Sequence, residues 1–180
     1  MTAIAGLVHD GKVYIGGDSA GVAGMDLHLR SDPKVFTVGE FVIGYTTSFR
    51  MGQLLRFSFQ PPFHRPDVDT YRYMVTEWTD AVRGCFKGGG FATTKDGAEV
   101  GGTFLVGYKG RLFYVGTDYQ VGECADGFAA VGCGDNQCLG ALWATRDSKM
   151  KPEQRLEVAL AAAERFSAGV RAPFLVVREP

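Results

Sequence analysis

Apolar and polar positions along the chain alternate between strand-like and helix-like periods. Thr2 to His9 is mostly apolar, Asp10-Gly11 is a favoured type I′ turn pair, and Lys12 to Gly17 is a second apolar run; together they predict a β-hairpin that starts at the second residue. A second hairpin is predicted from Lys34 to Val38 and Phe41 to Tyr45, with Gly39-Glu40 as its turn. From Ser48 to Phe59 apolar residues recur at helical spacing until Pro61-Pro62, and Asp67 to Phe86 gives a second amphipathic helix carrying Tyr71, Met74, Val75, Trp78 and Val82. Gly88 to Gly102, with Lys95, Asp96 and Glu99, reads as an exposed loop. Strands resume at Thr103 to Tyr108 and Arg111 to Val115 around a Lys109-Gly110 turn, then at Gln120 to Val131 with breaks at Gly122 and Gly127. Helices at Asn136 to Thr145 and Pro152 to Phe166 and a strand at Pro173 to Val177 complete the pattern.

Two antiparallel sheets packed face to face, each covered outside by helices, fit this order: an α+β protein built as a four-layer αββα sandwich. An α+β domain with one sheet is the less specific alternative. The chain has 180 residues, of which 46% are hydrophobic, enough for one continuous core, so residues 1–180 are expected to form a single domain.

Charge and cysteine usage narrow the function. The formal net charge is -1 and no run of Lys or Arg appears, which argues against nucleic acid as a partner. The apolar runs are strand-sized and no charged segment followed by an apolar one opens the chain, so a cytoplasmic protein without membrane attachment is expected. Cys85, Cys124, Cys133 and Cys138 form no C-x-x-C pair and have no histidines at zinc-ligand spacing; they read as free thiols. His9, His28 and His64 are scattered, no G-x-S-x-G occurs, and Gly88-Gly89-Gly90 lacks the lysine and hydroxyl residue of a phosphate loop.

Taken singly, Thr2 fits an edge strand, Asp18 a glycine-flanked turn and Lys34 a solvated strand end. Their joint placement points elsewhere. Thr2-Ala3-Ile4-Ala5-Gly6, Gly16-Gly17-Asp18-Ser19 and Ser31-Asp32-Pro33-Lys34-Val35 resemble the three N-terminal signatures of proteasome β-subunits and HslV-type peptidases, N-terminal-nucleophile hydrolases. Counted from Thr2, that family's aspartate and lysine fall on Asp18 and Lys34 without a gap. Phe128 to Gly134, followed by a helix, is similar to the family's glycine-serine-glycine turn.

The resemblance implies a threonine peptidase or amidase. A threonine hydroxyl is a weak nucleophile at neutral pH and needs a base. A free α-amine, with a pKa of about 7.7–8.0, can serve, and a nearby Lys34 ammonium held by Asp18 would lower it further. Removal of Met1 is the precondition; Thr2 is small enough for an aminopeptidase acting on initiator methionine, and no propeptide is expected to do this by autolysis. By the same resemblance the oxyanion donor falls in Gly44-Tyr45-Thr46-Thr47-Ser48, with the Thr47 amide as candidate.

The departures are specific. Cys133 stands where the family has a serine, Thr47 where it has a glycine, and Arg165-Phe166-Ser167-Ala168-Gly169 lacks the family's aspartate, with Ser167 as a partial substitute. A non-catalytic scaffold subunit and an amidase for small amides therefore stay open as alternatives. No cofactor is required. The resemblance further implies a peptide or protein substrate, a homo-oligomer or ring with Trp78, Phe86 or Trp143 between subunits, and an ATPase unfoldase as a possible partner. Phe49-Arg50-Met51 and the glycine-rich loop are candidates for shaping specificity.

Overall fold

The structure, a computed structural model, describes residues 1–95 and 97–180, with Lys95 described in its main chain alone. Strands β1 (Ala3–His9) and β2 (Lys12–Gly17) form the expected hairpin around Asp10-Gly11, both residues with positive φ, as a type I′ turn demands. Next come β3 (Ala20–Ala23) and β4 (Asp26–Leu29), a short separate hairpin, then β5 (Val35–Val38) and β6 (Phe41–Tyr45). The helices α1 (Phe49–Phe57) and α2 (Thr70–Tyr73) follow; α2 continues through a π-helical turn (Met74–Trp78) into α3 (Thr79–Gly88). A hairpin of β7 (Thr93–Lys95) and β8 (Ala98–Val100) precedes β9 (Phe104–Tyr108), β10 (Arg111–Val115), β11 (Val121–Glu123) and β12 (Phe128–Gly132). The chain ends with α4 (Asp135–Ala144), α5 (Pro152–Phe166) and β13 (Leu175–Arg178).

Among the described residues the strands make a four-stranded sheet in the order β12-β1-β2-β13 and a five-stranded sheet in the order β11-β10-β9-β6-β5. The period of two along β1 explains the layering. Ala3, Ala5 and Leu7 pack outward on Leu142 of α4 and on Leu156 and Leu160 of α5. Ile4 instead joins Val13, Ile15, Val35, Val42, Leu105 and Leu112 between the two sheets. On the far side Ile43, Tyr45, Phe104 and Val106 are covered by Met51 and Leu54 of α1 and by Trp78 and Phe86. Each such fully buried side chain contributes about 1.5–3 kcal/mol. This is the αββα sandwich.

The structure also corrects details. The segment Gln120 to Val131 is not one strand region within a single sheet: β11 pairs with β10 and β12 with β1, so the chain changes sheets between them, at Gly127 with φ +71. The glycine-rich stretch contains the β7–β8 hairpin, while Asp96 lies outside the described residues. The second helix carries a π turn in which the Thr79 hydroxyl donates to the Met74 carbonyl at 2.7 Å. Trp78 and Phe86 are fully buried in this chain's own core, which removes them from any subunit interface; Trp143 is exposed. Met51 is buried as well, leaving Phe49 as the member of its triplet that reaches a cavity.

Candidate active site

Thr2 precedes β1 and is held beside β12, whose Gly132 pairs with Ala3. Gly132, with φ +104, turns the chain away from the sheet, and Gly134 packs so tightly that a Cβ there would lie 2.8 Å from that of Ala163. Between these glycines Cys133 is presented to the N-terminus. The Thr2 N–H donates to Cys133 Sγ at 3.3 Å, and the Ser167 hydroxyl donates to the same sulfur at 3.3 Å. That nitrogen is a peptide N–H while Met1 is attached, and it marks the position of the α-amine in a chain without Met1. The Thr2 hydroxyl donates to the Met1 carbonyl at 2.5 Å.

Asp18 follows β2 directly, and its buried carboxylate is fully engaged. Oδ1 accepts from Lys34 Nζ at 2.7 Å and from the Ala3 N–H at 3.1 Å; Oδ2 accepts from the N–H groups of Ala20 at 2.9 Å and Arg171 at 3.2 Å. Lys34, delivered by the chain just before β5, is 2% exposed. Burial pulls its pKa below the ordinary 10.5, and the Asp18 carboxylate works against that by stabilising the ammonium. The loop that carries Lys34 is fixed by a two-pronged ion pair, Arg30 to Asp32 at 2.7 Å for both bonds, with the Arg30 guanidinium 3.9 Å from the centre of the Phe49 ring.

Thr47 lies between β6 and α1 with φ +68, and the Ser48 N–H donates to the Thr46 carbonyl at 2.8 Å across it. This is a γ-turn of the rare positive-φ kind. Thr103 braces it: its N–H donates to Thr47 Oγ1 at 3.1 Å and its carbonyl accepts from the Thr46 N–H at 3.0 Å. The turn uses up the Ser48 N–H, and among the described residues no acceptor is found for that of Thr47. Ser48 then caps α1 by accepting from the Arg50 N–H at 3.1 Å.

Thr2, Lys34 and Thr47 line one cavity of about 100 Å³, together with Met1, Val22, Tyr45 and Phe49 among others. Asp18 stands behind Lys34, and Cys133 touches the Thr2 nitrogen. All five residues singled out from the sequence therefore converge. Arg165 does not: it rests on the Phe166 ring at the surface. Sequence reasoning missed Thr103, Arg30 and the Arg171 N–H. Two of these act through the main chain, which leaves no side-chain signature; Arg30-x-Asp32 beside Lys34 was a readable ion-pair spacing.

No family model matches the chain, and no curated protein matches it. Solved structures do. BPH from Thiobacillus denitrificans, in complex with epoxomicin, superposes with a TM-score of 0.83 over 98% of this chain and 97% of its own at 21% identity. HslV from Trypanosoma brucei gives 0.71 over 98% of both chains at 18% identity, and Anbu, an ancestral beta-subunit from Yersinia bercovieri, 0.68 over 99% of this chain and 82% of its own at 18% identity. The chain has the N-terminal-nucleophile hydrolase fold in its proteasome-like form.

Proposed function

We propose that the protein is an N-terminal threonine hydrolase of the proteasome and HslV-like kind, cleaving peptide or amide bonds through an acyl-enzyme on Thr2. The observation that carries this reading is the convergence on one cavity of Thr2, Lys34, held by the buried Asp18 behind it, and Thr47, whose N–H has no acceptor among the described residues. With Met1 removed, the Thr2 hydroxyl adds to the substrate carbonyl carbon while its proton passes to the α-amine. Lys34, one positive charge already in place, keeps that amine neutral and able to accept. The Thr47 N–H donates to the resulting oxyanion. Collapse breaks the C–N bond, the protonated α-amine returns its proton to the leaving amine, and an ester to Thr2 remains. Water, deprotonated by the same α-amine, then hydrolyses the ester.

Cys133 holds the amine in place of the hydroxyl expected there, and no cofactor enters these steps. The same reading makes residues 1–180 one cytoplasmic domain that acts on peptides or proteins and self-associates, with an ATPase unfoldase as a possible partner. Among the described residues no helix is long and apolar enough to cross a membrane. The exposed Trp143 and Phe166 support self-association.

The test is intact mass before and after epoxomicin, the ligand of the BPH structure. An epoxyketone reacts with both groups: the hydroxyl adds to the ketone and the amine opens the epoxide, with nothing lost. A chain lacking Met1 that gains one whole inhibitor mass, and does not as Thr2→Ala, supports the reading. A chain lacking Met1 that stays unlabelled while a control peptidase reacts rejects it.

A further inference from the structure

A cavity of about 380 Å³ opens at the opposite end of β6 from Thr2, between the Gly39-Glu40 turn, Lys109 and the segment from Pro61 to His64. Among the described residues it shares no lining with the cavity at Thr2. Its size lies in the range of small-molecule pockets, about 300–1,000 Å³. His64 lies flat on the Tyr73 ring, 4.3 Å between centroids, and its Nε2–H donates to the Val68 carbonyl at 2.8 Å. Nδ1 is therefore the acceptor, with a single lone pair. Two donors reach it, the Tyr108 hydroxyl and Lys109 Nζ, both at 3.0 Å. One lone pair does not serve both. Tyr108 is buried and held in place while Lys109 is exposed, so the ammonium is the donor with hydrogens to spare.

The β6–β9 register sets Val42 opposite Gly107, and carried two residues further it brings Glu40 opposite Lys109. Among the described residues these two charges form no ion pair, and the Glu40 carboxylate accepts no hydrogen bond. Opposite charges side by side at one cavity, each unspent, match a ligand that carries both on one carbon atom. We propose that the cavity binds a free α-amino acid with a large apolar side chain, its carboxylate on Lys109, its ammonium on Glu40 and its side chain against Phe41, Pro61, Pro62 and Phe63. Phe63 is 78% exposed and supplies apolar surface for that side chain to cover. The wall is fixed before any ligand arrives, since the Tyr73 hydroxyl donates to the Pro62 carbonyl at 2.7 Å and Phe41 stacks on Tyr108 at 4.1 Å. Burial first, and the Glu40 charge after it, hold the Tyr108 hydroxyl above its ordinary 10.0, so the aromatic wall stays neutral and the acid's charge is felt within the cavity. The proposal stands independently of the role of Thr2.

The experiment is titration calorimetry of the full chain with L-phenylalanine, which should bind saturably with a Kd of about 1 mM or below. N-acetyl-L-phenylalanine, which has no ammonium, and L-phenylalaninamide, which has no carboxylate, should each bind about five- to tenfold more weakly, the worth of one charged contact at a partly exposed site. Glu40→Gln should weaken L-phenylalanine by the same factor and leave N-acetyl-L-phenylalanine unchanged. Lys109→Gln should likewise weaken L-phenylalanine and leave the amide unchanged. Both residues are exposed in turns, so both variants keep the core intact. Absence of saturable binding at ten times the expected concentration overturns the proposal. Equal affinity for all three compounds, or an affinity for L-phenylalanine that neither variant moves, overturns it as well and reduces the cavity to a patch of apolar surface between two solvated charges.

Discussion

Gly132 and the carbonyl of Thr2 approach so closely that a Cβ on Gly132 would stand 2.1 Å from that oxygen. The contact sets how near the N-terminus comes to the Gly132-Cys133-Gly134 turn. It is a main-chain contact, with no flexible side chain to give way, and the φ of +104 at Gly132 is strained for any residue with a Cβ.

Gly132→Ala is therefore expected to cost at least about 3 kcal/mol, the sum of backbone strain and displacement of β1 from β12. Urea unfolding measures it. A variant within 0.5 kcal/mol of the wild type, on the order of a neutral surface change, would mean the turn relaxes without strain and that Thr2 is not held by this contact.

The Lys34–Asp18 pair separates stability from chemistry. Asp18 also accepts from Ala3, Ala20 and Arg171, so Lys34→Ala leaves its carboxylate bonded to three N–H groups. That variant should fold, lose about 1.5–3 kcal/mol, and show no epoxomicin adduct. Asp18→Ala leaves a buried ammonium and three main-chain donors without their acceptor, and should cost about 3–5 kcal/mol. The order of the two losses by calorimetry is the check; equal losses would contradict the main-chain role of Asp18.

The sandwich and the site were legible to different degrees for physical reasons. The Asp10-Gly11 and Lys109-Gly110 turns were legible because each places a glycine in a two-residue hairpin loop, and both residues of each adopt the positive φ that such a turn demands. Thr2, Asp18 and Lys34 were singled out by the resemblance of three short N-terminal segments to known signatures, since each residue alone fits a plain structural role; the fold brings Thr2 and Lys34 to one cavity with Asp18 bonded to Lys34. The β3–β4 hairpin was not legible, because Asp26 to Leu29 is exposed throughout and shows no alternation between faces. The switch of sheets between β11 and β12 depends on long-range pairing that local periodicity does not encode. The π turn at Met74 to Trp78 preserves apolar helical spacing and so leaves no mark in the pattern. The supports from Thr103 and Arg171 come from main-chain groups, which every residue possesses.

Cys133 offers a sulfur to the Thr2 nitrogen where a hydroxyl would be the stronger partner. Cys133→Ser is accordingly expected to raise the epoxomicin labelling rate by about 2- to 10-fold, the worth of about 0.5–1.5 kcal/mol in one hydrogen bond. Cys133→Ala should lower it. The measurement is the rate of adduct formation at fixed inhibitor concentration. An unchanged rate in both variants would show that the contact positions nothing of kinetic consequence.

Two buried acids predict how stability changes at high pH. Burial pushes the Cys138 thiol from 9.0 up to about 12 and the Tyr45 hydroxyl from 10.0 up to about 12. A raised acid keeps its proton in the folded chain while the unfolded chain has already lost it, so between the two values the native state binds more protons and unfolding becomes easier as pH rises. Cys138 thus contributes stability that is complete below about pH 9 and lost progressively toward pH 12. Lys34, whose pKa is lowered, acts in the opposite sense between its folded value and 10.5, so the total curve alone does not isolate the thiol. Cys138→Ala does, since Cys138 is fully buried in the α4–α5 layer and donates to the Ala159 carbonyl at 3.4 Å. The gap in urea midpoint between wild type and Cys138→Ala should hold steady from pH 7 to 8.5 and shrink from about pH 9 upward. A gap that stays constant to pH 11 would mean that the thiol ionises as readily inside the fold as outside it, and that the α4–α5 layer admits water.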